Sequence, residues 1–261
     1  MKDTDIIIQI KDLKMSYGEK EVLKGIDLDI NKGNIIGYIG SNGAGKSTTI
    51  KILLGLVKGY SGSISIFGKD IEDENNNYKE KIGYVPEIAK IYESLTAREY
   101  LTFIGQIYGL SYEKADEKSL KLMKVLGIGD AYDSRLTSFS KGMKQKVVII
   151  SSMIHNPEIL FLDEPLSGLD ANSVMLIKEI LNKLKEDGKT IFYSSHIMEV
   201  VQKLSDRIIL LNEGKVVANG NFEEIKHASF DGSLEEIFNE LTGFDEYNDL
   251  SEEFVRVLKE V

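Results

Sequence analysis

Residues 40–48 read Gly-Ser-Asn-Gly-Ala-Gly-Lys-Ser-Thr, and this stretch constrains the fold more than any other. The apolar run Ile35-Ile36-Gly37-Tyr38-Ile39 precedes it and reads as a short buried strand. After it, Ile50, Leu53, Leu54 and Val57 recur at helical spacing, so a helix is expected over Lys46–Val57. A strand that turns through glycines into a helix makes a phosphate cradle. Gly43 and Gly45 let backbone N–H groups converge on phosphate oxygens, and the helix N-terminus adds its positive dipole end. In the pattern Gly40-x-x-x-x-Gly45-Lys46-Ser47 the lysine is set to reach the β- and γ-phosphates of a nucleotide and the serine to ligate Mg²⁺. Ser41, Asn42, Ala44 and Thr48 complete the expected binding loop.

The rest of the chain supplies what such a loop needs. Ile26, Leu28 and Ile30 alternate with Asp27 and Asp29 as in a half-buried strand, and apolar strands recur at Ile159–Leu162, Thr190–Tyr193 and Arg207–Leu211. A helical pattern from about Asn172 to Glu186 lies between the first two of these, which implies a parallel sheet covered on both faces. From Thr96 to about Ile154 the periodicity is helical and reads as an insert. The strand at Ile159 ends in Asp163-Glu164, so Asp163 is expected to hold the metal and its neighbour to polarise an attacking water. Such a strand end, met alone, is also an ordinary solvated turn.

With 261 residues and 42% hydrophobic composition the chain can bury a full core, which excludes a disordered or fibrous protein. A net charge of -10 argues against nonspecific nucleic-acid binding, and the absence of cysteine excludes disulfides and thiolate metal centres. Met1–Asp5 lacks the apolar core of a secretory signal and no segment approaches a membrane span, so a cytoplasmic protein is expected.

Taken together, these motifs resemble the nucleotide-binding domain of an ATP-binding cassette (ABC) transporter, over roughly residues 6–220. Ser140-Lys141-Gly142-Met143-Lys144-Gln145, preceded by Phe139, stands where the family has its Leu-Ser-Gly-Gly-Gln signature. Ser167-Gly168-Leu169-Asp170 matches the D-loop, His196 the switch histidine, and Tyr17 the aromatic that stacks on adenine. Each alone has a plainer reading: Tyr17 as a core or surface aromatic, His196 as a structural histidine, Ser140 as a helix cap. Their order along one chain is what favours the family.

The resemblance implies an α/β P-loop NTPase fold with a mixed-sheet core, an N-terminal antiparallel β subdomain and a helical insert. It places a cassette at residues 1–221, with the helical subdomain at about 88–154, and an acidic helical extension at 222–261. It further implies an ATPase in which each ATP lies between the P-loop of one cassette and the signature of a second. Glu164 would then be the general base, His196 a γ-phosphate contact and Asp170 a contact across the dimer. A separate membrane permease would be driven by closure and opening, holding the protein at the inner face of the membrane. The region Ile88–Leu95, with exposed-looking Ile91 and Tyr92, is the expected permease contact.

Two departures stand out. Glu87 follows Gly83-Tyr84-Val85-Pro86 where the family has glutamine, and is expected to serve as a metal ligand in its place. The signature carries Lys141 and Met143 for glycine and glutamine, a form that resembles bacterial drug and antibiotic exporters, as does Ser233–Phe238. A soluble ABC ATPase of cofactor assembly is the competing reading. DNA-repair types are disfavoured because only 93 residues separate Lys46 from Ser140, without the heptads of a coiled coil.

Overall fold

The computed structural model describes residues 6–73, 77–88, 90–229, 231–243 and 247–259. Met1–Asp5, Ala89 and Glu260–Val261, over which the sequence readings also ran, lie outside them. The chain runs through β1 (Ile6–Tyr17), β2 (Lys20–Asn31), β3 (Ile35–Gly40), α1 (Lys46–Leu53), β4 (Ser61–Ile66), β5 (Lys69–Asp70) and β6 (Ile82–Val85). Three helices follow: α2 (Ala97–Ile107), α3 (Tyr112–Val125) and α4 (Lys141–Met153). Strands and helices then alternate through β7 (Ile159–Asp163), α5 (Ala171–Glu186), β8 (Thr190–Ser194), α6 (Met198–Leu204), β9 (Arg207–Asn212) and β10 (Lys215–Gly220). The described chain ends in α7 (Phe222–Ala228), α8 (Leu234–Thr242) and α9 (Tyr247–Lys259).

Two sheets form. The first is antiparallel, in the order β2-β1-β4-β5, and the second runs β10-β9-β3-β8-β7-β6, parallel except for β10. Period-2 alternation sorts the side chains of the second sheet into two cores. From β7, Ile159 and Phe161 join Ile8, Ile10, Leu28, Ile50 and Leu53 on the face covered by α1 and the antiparallel sheet. Leu160 and Leu162 join Val147, Ile150, Ile177 and Val201 on the face covered by α4, α5 and α6. A strand buried on both faces must be apolar at every position, which is why 159–162 reads as a continuous run.

Helix α1 is shorter than its periodicity suggests. Leu54 caps it and Gly55 turns to φ 66°, a left-handed conformation that ends a helix at little cost only in glycine. The N-termini of α2, α3 and α4 are fixed by Thr96, Ser111 and Ser140, whose side chains each accept a backbone N–H three residues on. Helix α8 is docked on the body: Leu234 and Ile237 are fully buried in the same core as α6. No helix among the described residues is long and apolar enough to cross a membrane.

Candidate nucleotide site

Strands β3, β8 and β7 are parallel neighbours at the middle of the sheet, so their C-terminal ends open on one crevice. There the loop after β3 turns into α1 and encloses, with the ends of β7 and β8, a cleft of about 350 Å³. Asn42, Gly43, Ala44, Gly45, Lys46, Ser47 and Thr48 all line it. Gly43 has φ 79° with open space where a Cβ would stand, while a Cβ on Gly45, at φ 108°, would lie 2.4 Å from Leu23 Cδ2. The first glycine thus leaves a bare backbone facing the cleft, and the second lets the loop sit down on β2.

Ser41, grouped with the binding loop on sequence, does not line the cleft. Its hydroxyl turns away to donate to Asn212 Oδ1 at 3.1 Å, at the end of β9. The Lys46 ammonium donates to the carbonyls of Gly40 and Ser41 at 2.5 and 3.1 Å. Burial pushes its pKa below the usual lysine value, opposed by the carboxylates of Asp163, Glu164 and Glu87. A phosphate arriving here would exchange two neutral acceptors for an anionic one, a stronger partner for an ammonium.

Asp163 sits opposite Ser194 in the β7–β8 ladder, and the Ser194 hydroxyl donates to Asp163 Oδ1 at 2.5 Å. Glu164 follows at φ 50°, a left-handed conformation uncommon for a side chain of this size and typical of strained functional turns. Its backbone is pinned on both sides: its N–H donates to Ser194 O and its carbonyl accepts from the N–H of Ser167, both at 3.1 Å. The carboxylate accepts from Ser195 Oγ at 3.3 Å and stands 3.7 Å from His196 Nε2. Burial raises the Glu164 pKa above the ordinary glutamate value, His196 and the Ser195 hydroxyl oppose that shift, and the Asp163 charge adds to it. A carboxylate made more basic by burial and aimed into a phosphate cradle is suited to take a proton from water.

Tyr17, half exposed at the end of β1, lines the outer part of the cleft together with Lys20 and Val22, and Glu87 lines it from beyond β6. Ser47, Asp163 and Glu87 therefore line one space. Hard oxygen donors beside a phosphate cradle suit Mg²⁺, which keeps several waters and takes further ligands from phosphates. No group of three or more His, Asp or Glu side chains placed to hold a metal is found among the described residues.

Ser140, Gly142 and Asp170 line no part of this cleft. Ser140 caps α4 through a bond from the Met143 N–H at 3.3 Å. Gly142 lies against the loop after β7: a Cβ there would come 2.8 Å from Gly168 O. Asp170 caps α5, accepting from both the backbone and hydroxyl of Ser173. The site residues thus fall into two groups on one chain, the first around the cleft and the second at the head of α4 and in the loop that touches it.

The family model described as ABC transporter matches residues 23–167 of the chain. Over 214 residues the chain is 39% identical to the linearmycin resistance ATP-binding protein LnrL of Bacillus subtilis (strain 168), an alignment that covers 82% of this chain and 69% of that one. The chain belongs to the ABC transporter family. The bacitracin transport ATP-binding protein BcrA of Bacillus licheniformis is similar to it at 35% identity over 221 residues, 84% of this chain and 71% of the relative. A solved structure, that of an ATP binding subunit of an ABC transporter, superposes with a TM-score of 0.84 at 34% identity and covers 90% of this chain and 99% of its own.

The protein is thus an ABC ATPase, the ATP-binding and hydrolysing subunit that powers a membrane transporter, and its fold is that of the P-loop cassettes. Four cassette residues of the cleft and its rim escaped the sequence reading as contributors in their own right. The sequence signal of Ser194 and Ser195 is only their place before His196, at the end of an apolar strand. Lys20 and Val22 carry no signal of their own. They reach the cleft because β1 and β2 pair in a hairpin whose register sets Tyr17 opposite Lys20.

Proposed function

We propose that ATP is hydrolysed at a composite site, in which Ser140 and Gly142 of one cassette close over the cleft of a second. What carries this reading is the separation just described. The cleft holds a loop, a lysine, carboxylates and a histidine, yet an uncapped face remains toward solvent, while a helix N-terminus suited to an anion stands elsewhere on the chain. In the closed pair Tyr17 would stack on adenine, and the loop Asn42–Thr48 and Lys46 would cradle the phosphates. Ser41 would serve the loop through its backbone. Ser47, Asp163 and Glu87 would hold Mg²⁺, which would supply charge neutralisation to the phosphates. Glu164 would accept a proton from the attacking water as its oxygen bonds to the γ-phosphorus and the bond to the bridging oxygen breaks, with ADP leaving. His196 would contact the γ-phosphate, and Asp170 would report on the partner across the interface.

Residues 1–221 form the cassette in this reading, with its helical subdomain at about 88–154, and 222–261 an acidic extension. A transmembrane permease would hold it at the inner face of the membrane. The names of LnrL and BcrA, together with the Ser-Lys-Gly-Met signature, favour an exporter of the drug-resistance type. Glu164→Gln tests the central claim. That variant should bind ATP, hydrolyse it at least about a hundredfold more slowly than the parent, and accumulate as an ATP-dependent dimer in size-exclusion chromatography. Turnover at the parental rate removes Glu164 as the base, and a chain that stays monomeric with ATP removes the composite site.

A further inference from the structure

One face of α4 is given over to the loop that leaves Glu164. Lys141 Nζ donates to Ser167 Oγ at 3.4 Å, Gly142 lies under Gly168, and Lys146 Nζ stands 4.0 Å from Asp170 Oδ2. Between them Gln145, only 8% exposed, donates from Nε2 to the carbonyl of Pro165 at 3.0 Å. Positions 141, 142, 145 and 146 share one side of a helix, so four consecutive contacts clamp residues 165–170 to a single rigid element. The Gln145 bond is the inner one. It meets the residue directly after Glu164, whose φ of 50° is held in place only by what surrounds it.

We infer that Gln145 is a positioning residue for Glu164, and that through it the nucleotide held against Ser140 in the partner's site sets the aim of this chain's own carboxylate. The inference rests on the composite site proposed above. Ser140 and Gly142 lie at the same end of α4 as Gln145, within two turns. A helix that shifts to meet a γ-phosphate carries the amide with it, and Pro165 and Glu164 follow. The two hydrolytic sites of a dimer then depend on each other through a bond inside each chain. Displacing a base by an ångström lowers the rate without touching ground-state binding, so the signature of this role is a change in kcat and in cooperativity at constant affinity.

Gln145→Met keeps the length of the side chain and removes its donor, and the ATPase of the assembled transporter reads the effect. The parent should respond to ATP with a Hill coefficient approaching about 2, the limit for two coupled sites. In Gln145→Met the coefficient should fall toward about 1 and kcat should drop about tenfold, while half-saturating ATP changes less than about twofold. A kcat and a coefficient both equal to the parent's overturn the inference. So does a lower kcat with cooperativity intact and a matching loss of folded protein, the pattern of a purely structural residue. If the Met variant does not fold, Gln145→Asn, which keeps an amide but draws it back from Pro165, is judged by the same criteria. A parent with hyperbolic ATP dependence whose Glu164→Gln variant forms no ATP-dependent dimer overturns the composite site itself and this coupling with it. A cooperative parent with an unaltered Met variant overturns the coupling alone.

Discussion

Glu87 adds a third carboxylate to a cleft whose substrate would itself be a polyanion. Beside Lys46 the carboxylates of Asp163, Glu164 and Glu87 all act to hold the ammonium charged, against the burial that lowers its pKa. Where the family has an uncharged glutamine, a glutamate binds a cation more firmly and repels a bare phosphate more strongly. Glu87→Ala should therefore raise the Mg²⁺ concentration that half-activates the ATPase several-fold, and metal-free ATP should bind the variant no more weakly than the parent. A Mg²⁺ titration of activity, paired with ATP binding in a chelator, checks both, and an unchanged metal requirement removes Glu87 as a ligand. At this scale the sequence shows which residues belong to the site better than it shows what they touch. Gly43, Gly45 and Lys46 are legible because backbone approach to phosphate demands those residue types at that spacing. Ser41 belongs to the same motif, yet its hydroxyl is bound to Asn212, a strand distant in the chain and adjacent only because β9 pairs with β3.

Among the elements, helical periodicity locates α2, α3 and α4, but α2 is tied to α3 by a polar cluster that no periodicity reveals. Arg98 of α2 donates from Nε and Nη2 to both oxygens of Asp116 on α3, at 2.7 and 3.0 Å, and Tyr132 donates to Asp116 Oδ1 at 3.0 Å. A two-pronged bond of this kind is worth more than a single surface ion pair, though partial exposure to solvent screens it. The Arg98 guanidinium, followed by the Tyr132 hydroxyl, holds the Asp116 carboxyl below the usual aspartate range. Asp116 thus binds its proton less tightly folded than unfolded. The stabilisation is complete above the unfolded pKa of about 3.9 and is lost as pH falls through the lower folded value. Asp116→Asn should lower the melting temperature by about 2–4 °C at neutral pH, a difference that narrows below about pH 4. A gap between the two melting curves that does not change with pH would detach the effect from this charge. The order of the strands was beyond the sequence for a related reason. Alternating strands and helices imply parallel pairing, which holds for β6 to β9, but the antiparallel return of β10 depends on a tight turn at Glu213-Gly214, both with φ above zero.

At the scale of the whole molecule, an engine needs a surface through which to push. The family resemblance puts the expected permease contact at Ile88–Leu95, and within it Ile88 and Tyr92 are exposed, whereas Ile91 is half-buried against the helical core. Tyr92 opens a turn, its carbonyl accepting from the Leu95 N–H at 3.0 Å, and the turn carries its ring outward. A groove of about 310 Å³ runs nearby between β6 and the helices, lined among others by Leu54, Leu56, Tyr84, Tyr100, Ile104 and Tyr108. Its floor is stiffened by the stack of Tyr108 on His155, ring centres 3.6 Å apart, and by a bond between His155 Nε2 and the carbonyl of Ile82. Leu56, which lines the groove, is exposed, as are Ile88 and Ile107, and exposed apolar side chains mark interaction surfaces. A permease helix seated there would press on β6, and so on Glu87 at its end and on the cleft beyond. Tyr92→Asp should leave basal ATPase within about twofold of the parent, because the side chain is outside the cleft, while desolvating a carboxylate at an apolar contact should cost the permease association at least about tenfold. Val217→Asp on β10 is the control: its side chain is also exposed, but at the opposite edge of the sheet from β6, so it should change neither activity nor association. Copurification of the permease together with transport in vesicles tests the pair, and a Tyr92→Asp protein that holds its permease and transports at the parental rate would move the coupling surface away from Ile88–Leu95.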